Sequence, residues 1–273
     1  RFIFSIAVTT GIFSLASHAS ADVTLPKVIA SNMVLQQGKP INIWGWADVD
    51  ESVEVRIDGV TATAVADEAG NWRVKLPAMK ADGKVHELTV RGKNELALTN
   101  ILIGEVWLGS GQSNMAMTVK GSKDAAKEIA SAAYPQIRLF LVPRAKANAP
   151  AKDTTGGEWQ ECSSQTVANF SATAYYFARK LQQELDVPIG IIASSWGGTR
   201  IEPWTPNNGT NANLYNAMIH PLAPFSLRGV IWYQGESNVL SLAGLGYFDM
   251  KKQLIEDWRD AWGDNELSFN FVH

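Results

Sequence analysis

From Val23 to about Asn100 the chain alternates short β-branched and aromatic runs with turn signals. Ile41 to Trp46, Ser52 to Ile57, Val60 to Ala66, Trp72 to Leu76 and His86 to Val90 read as strands, separated by Asp58-Gly59, Gly70-Asn71 and Asp82-Gly83. Strands this short and this closely spaced predict a small β-sandwich. After Asn100 the rhythm changes to strand, loop, helix. Ile101 to Leu108, Ile137 to Val142, Pro188 to Ala193, Gly229 to Tyr233 and a last run from Leu267 read as buried strands. Between them the pattern predicts a helix from Ser122 to Ala133. A second helix is capped by Ser171, with Ala174, Ala178, Leu181 and Leu185 recurring on one face. A third places Tyr247, Met250, Leu254, Trp258 and Trp262 on one stripe.

Strands alternating with helices of this length imply right-handed crossovers and a mainly parallel sheet covered on both faces. The expected fold is therefore α/β: a three-layer parallel-sheet domain over residues 101–273, preceded by a small β-sandwich domain over residues 22–100. Ala145 to Gly157 reads as a long surface loop, and there is no internal repeat or low-complexity tract. Trp44-Gly45-Trp46 and Asn71-Trp72 are aromatic clusters that either fill the core of the small sandwich or stack on sugar rings.

The two ends change the picture. Residues 1–21 combine a basic residue, the apolar stretch Ile3 to Leu15 and the small-residue site Ala19-Ser20-Ala21. This is the pattern of a secretory signal peptide, too short and interrupted for a membrane span, and it predicts a secreted or periplasmic protein. At the other end Leu267 to His273 reads as a strand with nothing after it, which leads us to expect a sequence cut off at that point.

Composition narrows the function classes. The 24 Lys+Arg against 27 Asp+Glu give a formal charge of −3, and no dense basic run offsets it, which argues against a partner bound through nucleic-acid phosphates. With 46% hydrophobic and 19% charged residues there is ample material for a core. The single cysteine, Cys162, excludes an internal disulfide and a Cys-rich metal site.

In an open parallel sheet, ligands bind beyond the carboxyl ends of the strands. Three segments at such positions combine glycine with hydroxyl or amide side chains: Gly109-Ser110-Gly111-Gln112-Ser113-Asn114-Met115, Ser194-Ser195-Trp196-Gly197-Gly198-Thr199 and Tyr233-Gln234-Gly235-Glu236-Ser237-Asn238. Asn114 stands where a dinucleotide fingerprint needs its third glycine, and no phosphate-loop run occurs. Met115 stands where the nucleophile elbow of ordinary α/β-hydrolases needs a glycine. Glu202 and Glu236 keep a glycosidase open, since two carboxylates across a cleft are what that chemistry needs. A serine nucleophile fits better. Ser113 falls where a strand turns into a helix, so its hydroxyl can be exposed beside backbone N–H groups. Gly198 lets the backbone approach the developing oxyanion, and Gln234 could add a side-chain N–H.

Gly111-Gln112-Ser113-Asn114-Met115, Ser195-Trp196-Gly197-Gly198-Thr199 and Trp232-Tyr233-Gln234-Gly235-Glu236-Ser237-Asn238 together resemble the sialate O-acetylesterases, a branch of the SGNH-hydrolase superfamily related to acetylxylan esterases. The resemblance extends to Asn32-Met33-Val34-Leu35-Gln36 and Leu214-Tyr215-Asn216-Ala217-Met218-Ile219, and so to nearly the whole chain after residue 21. It implies an SGNH-hydrolase-like catalytic domain with Ser113 as nucleophile, Gly198 in the block that supplies a backbone oxyanion donor, and Gln234 presenting its amide to the same oxyanion. Glu236 either anchors its loop or touches substrate. Gln112, Asn114 and Trp196 are pocket or loop-anchoring positions, Trp196 having core packing as its alternative.

The resemblance further implies hydrolysis of O-acetyl groups from sugars through an acetyl-enzyme on Ser113, sialic acid being the first substrate class and acetylated xylan or another polysaccharide the second. The partner is then an O-acetylated sugar or glycan, and no metal or organic cofactor is implied. The chain departs from the family in lacking its Asp-x-x-His pair. None of His18, His86, His220 and His273 sits in that setting, His220 reading as a structural loop residue, and the pair is expected beyond residue 273. A non-catalytic carbohydrate-binding protein on the same scaffold is the alternative from another class.

Overall fold

A computed structural model describes residues 22–207, 209–241 and 246–272. The expected signal peptide, with His18, and the terminal His273 lie outside the described residues. Six short strands come first: β1 (Val34–Gln36), β2 (Ile41–Trp46), β3 (Ser52–Ile57), β4 (Val60–Val65), β5 (Asn71–Leu76) and β6 (His86–Arg91). β4, β3 and β6 pair antiparallel in that order, and β6 pairs antiparallel with the start of β7 (Glu95–Gly111), while β2 and β5 form a separate antiparallel pair. Their period-two patterning is satisfied: Val53, Val55 and Ile57 of β3 and Trp72, Val74 and Leu76 of β5 are buried, and the residues between them are not. Trp72, only 3% exposed, is core rather than a stacking platform, whereas Trp44 and Trp46 are half-buried on the other face of β2.

β7 is longer than the run Ile101 to Leu108 suggests, with 17 residues. Its first half is exposed on one face, and everything from Ile101 onward is buried. The change falls at Asn100, whose φ of 57° accompanies a register shift opposite His86 and Leu88. Such a bulge bends the strand, and here it marks the passage from the antiparallel sheet to the parallel one.

The remaining elements are α1 (Ser113–Ala116), α2 (Ala125–Ser131), β8 (Ala133–Leu141), β9 (Trp159–Ser163), α3 (Ala172–Leu185), β10 (Ile189–Ser195), α4 (Asn213–Met218), β11 (Gly229–Tyr233), α5 (Glu236–Leu240), α6 (Gly246–Trp262) and β12 (Ser268–Phe271). β8, β10, β7, β11 and β12 lie side by side in that order, all parallel, with β9 antiparallel outside β8. Alternate residues serve opposite faces. Trp107, Leu139, Ile191 and Ile231 pack with Ala174, Tyr175 and Ala178 of α3, while Val106, Phe140, Ile192 and Trp232 pack with Leu254, Trp258 and Trp262 of α6. Helices therefore cover both sides of the sheet, as strands buried on both faces require.

Several boundaries differ from the sequence pattern. α2 is shorter than Ser122 to Ala133, because Asp124 holds a left-handed conformation (φ 56°) just before it and Ala133 already pairs with Ser163 in β9. α3 is capped as expected, the Ser171 hydroxyl accepting from the Ala174 N–H at 3.1 Å, but Leu185 is exposed, in the final turn where Asp186 leads the chain away. Ala145–Gly157 carries no helix or strand. No described helix is long and apolar enough to cross a membrane.

Candidate active site

The register of the sheet assembles the site. Ser195 of β10 and Tyr233 of β11 both stand opposite Gly111 at the end of β7, so three strands deliver their following loops at one level. Two backbone bonds lock this convergence: Gln112 donates to the Tyr233 carbonyl at 2.9 Å, and Trp196 to the Gly111 carbonyl at 3.1 Å. Only glycine fits at 111, where φ is 137° and a Cβ would lie 2.1 Å from the Tyr233 oxygen.

Ser113 begins α1 and is exposed, and no described residue hydrogen-bonds its hydroxyl. The Trp196-Gly197-Gly198 loop lies against it, a Cβ placed on Gly197 falling 3.7 Å from that of Ser113. Gly198 has φ 77° with open space around it, and its N–H makes no hydrogen bond among the described residues. An exposed hydroxyl against a loop whose next residue carries an N–H unengaged among the described residues is an arrangement that suits a nucleophile and an oxyanion donor.

Glu236 acts as an anchor. Its carboxylate accepts from the side-chain amides of both Gln112 and Asn114, and the neighbouring Ser237 hydroxyl donates to the Gln112 oxygen at 2.5 Å. The buried Gln112 side chain is thereby satisfied at both ends, and the serine turn is tied to the start of α5.

Gln234 departs from expectation. It is 4% exposed, and both hydrogens of its amide are used, one on the Thr199 carbonyl at 3.1 Å and one on the Asn238 oxygen at 2.7 Å. Its own oxygen lies 2.8 Å from the Tyr247 hydroxyl. Burial above all, and the Glu236 charge after it, hold the Tyr247 phenol above its ordinary range, so it remains a donor. Gln234 has no free N–H to offer an oxyanion and instead joins the second and third loops.

The residue that sequence reasoning missed is Asn238. Fully buried, it accepts from the Ile201 N–H at 2.9 Å and from Gln234, and donates to Glu202 at 3.0 Å. Glu202 also pairs with Arg200. With Glu202 and Glu236 both committed to anchoring bonds, the geometry gives a carboxylate-pair glycosidase no support. The sequence signal for Asn238 was its place in the third motif, four residues after Gln234.

Trp196 shows the core packing that was its alternative. It is half-buried and packed on the core, while Arg144 and Lys146 face its ring at 6.0 and 5.4 Å from the centroid. A cavity of about 310 Å³, lined by Ala116, Thr118, Arg144, Asn169, Ser171 and Ser195 among others, opens beside this loop. His220 is a loop anchor, its Nδ1 lying 3.2 Å from the Ala151 carbonyl, and His86 is held between Asp58 and Asp82 near the first strands. Neither bonds Ser113. Among the described residues no group of three or more His, Cys, Asp or Glu side chains is placed to hold a metal ion.

Residues 103–273 match the family described as carbohydrate esterase, sialic acid-specific acetylesterase. The chain belongs to this family. The sialate O-acetylesterases of Homo sapiens and Mus musculus are 32% and 33% identical to it, the alignments covering 95% and 86% of this chain and 56% and 55% of theirs. The chain thus spans little more than half the length of these relatives. Among solved structures, a carbohydrate acetylesterase from Xanthomonas citri superposes with a TM-score of 0.87 at 38% identity, over 92% of this chain and 60% of that one. The three loops at Gly111, Trp196 and Gln234 all lie inside the segment matched by the family.

Proposed function

We propose that the chain is the serine-bearing part of an esterase that removes O-acetyl groups from sugars, with sialic acids as its first substrate class and acetylated polysaccharide as its second. The observation that carries this reading is the exposed Ser113 hydroxyl at the point where three strand-end loops meet, against Gly197 and the loop where Gly198 carries an N–H unengaged among the described residues. Family membership supports it. The Ser113 oxygen attacks the acetyl carbonyl, and the Gly198 N–H faces the oxyanion that forms. Collapse of that intermediate expels the sugar hydroxyl and leaves an acetyl-serine, which water hydrolyses to acetate. Attack needs a base for the Ser113 proton, and we place it outside the described residues, since neither His86 nor His220 bonds the serine. The signal-like stretch over residues 1–21 supports action in the periplasm or outside the cell.

Ser113→Ala in the full-length protein should lower acetate release from acetylated sialic acid by about 10³-fold or more, with circular dichroism unchanged. Acetate release at the wild-type rate would remove Ser113 from the mechanism.

A further inference from the structure

Arg144 and Lys146 stand over the ring of Trp196 in the second serine loop, and neither is paired with a carboxylate among the described residues. Arg200 pairs with Glu202 and Lys27 with Asp153, while Lys251 lies over the Tyr247 and Phe271 rings and Lys120 donates to Asn169. Both unpaired cations lie on the stretch following β8 and face the ring of Trp196, whose neighbour Gly197 packs on Ser113. Arg144 also lines the cavity of about 310 Å³ whose wall includes Ala116, three residues after Ser113, and Ser195, next to Trp196.

The segment carrying them is held in place. Val142 donates to the Ala193 carbonyl at 2.9 Å, Ala147 to the Asn213 carbonyl at 3.0 Å, and Ala151 to the Asn216 carbonyl at 2.9 Å. The Asn216 side chain closes the arrangement by donating to the Ala147 carbonyl at 3.1 Å. Two exposed cations whose backbone is pinned at both ends, with the ring of Trp196 as a shared wall, form a positive site next to the loop that packs on Ser113, in a chain whose net charge is negative. A guanidinium with an ammonium beside it is the donor set that recognises a carboxylate.

We infer that Arg144 and Lys146 bind the carboxylate of the sugar whose acetyl group is presented to Ser113, and so select acidic acetylated sugars over neutral ones. This rests on the esterase reading and adds to it the feature of the substrate that is recognised. Asn216 is a positioning residue for this subsite, acting through the Ala147 carbonyl.

The test uses the full-length protein and its Arg144→Gln, Lys146→Gln and double variants, with Lys80→Gln, at an exposed site among the first strands, as control. The first readout is kcat/KM on O-acetylated N-acetylneuraminic acid divided by that on its methyl ester, which keeps the acetyl group and loses the charge. The wild-type ratio should exceed one by about tenfold or more, and each single variant should lower it severalfold through KM, the double variant bringing it to about one. The second readout is the Kd of unacetylated N-acetylneuraminic acid by calorimetry, which should weaken about tenfold in the double variant and in added salt. If the wild type hydrolyses acid and ester equally, or the double variant keeps both the ratio and the Kd, the subsite is wrong while the esterase reading stands. If no acetate is released from either substrate but acid binding is still lost in the double variant, the esterase reading fails and the subsite stands. A Lys80→Gln ratio shifted as far as that of Arg144→Gln would reduce the effect to overall charge and overturn the proposal.

Discussion

Glu236 shows how one carboxylate sets the shape of the nucleophile turn. Its two oxygens accept from Gln112 and Asn114, the residues flanking Ser113, so the serine sits between two bonds to a single anchor. Glu236→Gln replaces one acceptor with an N–H₂ that must face a donor. We expect about 1–3 kcal/mol of lost stability in urea unfolding, and about tenfold lower kcat/KM as the turn loosens. An unchanged kcat/KM would make the anchor dispensable. Gln234 teaches the complementary point. An amide at the right place in a motif suggests an oxyanion donor, yet its hydrogens are taken by Thr199 and Asn238, partners far away in the sequence or hidden by burial. Residue type and position were legible; the direction in which the amide points was not.

Arg138 of β8 does for whole elements what Glu236 does for the turn. Buried at 3% exposure, it donates to the carbonyls of Pro135, Asn32 and Asn100 and to the Asn100 side chain at 2.8 to 3.2 Å, and it pairs with Glu161 of β9 at 3.3 Å. Burial lowers its guanidinium pKa, with Glu161 opposing, yet the group remains charged far above neutral pH. It thereby ties the segment before β1, the bulge in β7 and the edge pair β8–β9 together. Arg138→Met, which keeps an unbranched apolar stem without the guanidinium, strands those acceptors and should cost about 3 kcal/mol, read as a lower urea midpoint. A loss under about 1 kcal/mol would show that water replaces the guanidinium. The periodicity of α3 and α6 was plain in their apolar stripes, but β1 and β9 went unrecognised as strands. Each is short, and what makes it a strand is pairing with β7 or β8, which no local pattern encodes.

Across the whole molecule, β7 and the apolar core join what the sequence pattern divides. Val53, Val55, Ile57 and Leu88 of the first strands belong to the same buried cluster as Val106, Trp232 and Trp258 around the parallel sheet. Residues 101–273 produced without residues 22–100 should therefore expose a large apolar surface and fail to give a cooperative thermal transition, where the longer chain gives one. Equal midpoints for the two would show that the parallel sheet does not depend on the earlier strands.

The alternation of the long strands and helices after Asn100, the serine at a strand end and the glycines that let loops close on it were written in local patterns, because backbone preference and burial act over a few residues. Which loop faces which, and which amide or carboxylate is left over for chemistry, was decided by the sheet order β8-β10-β7-β11-β12. That order brings Gly111, Ser195 and Tyr233 side by side from positions up to 122 residues apart. It also sets Arg144 and Lys146 against Trp196, a pairing of charge and ring that arises only when β8 and β10 lie next to each other.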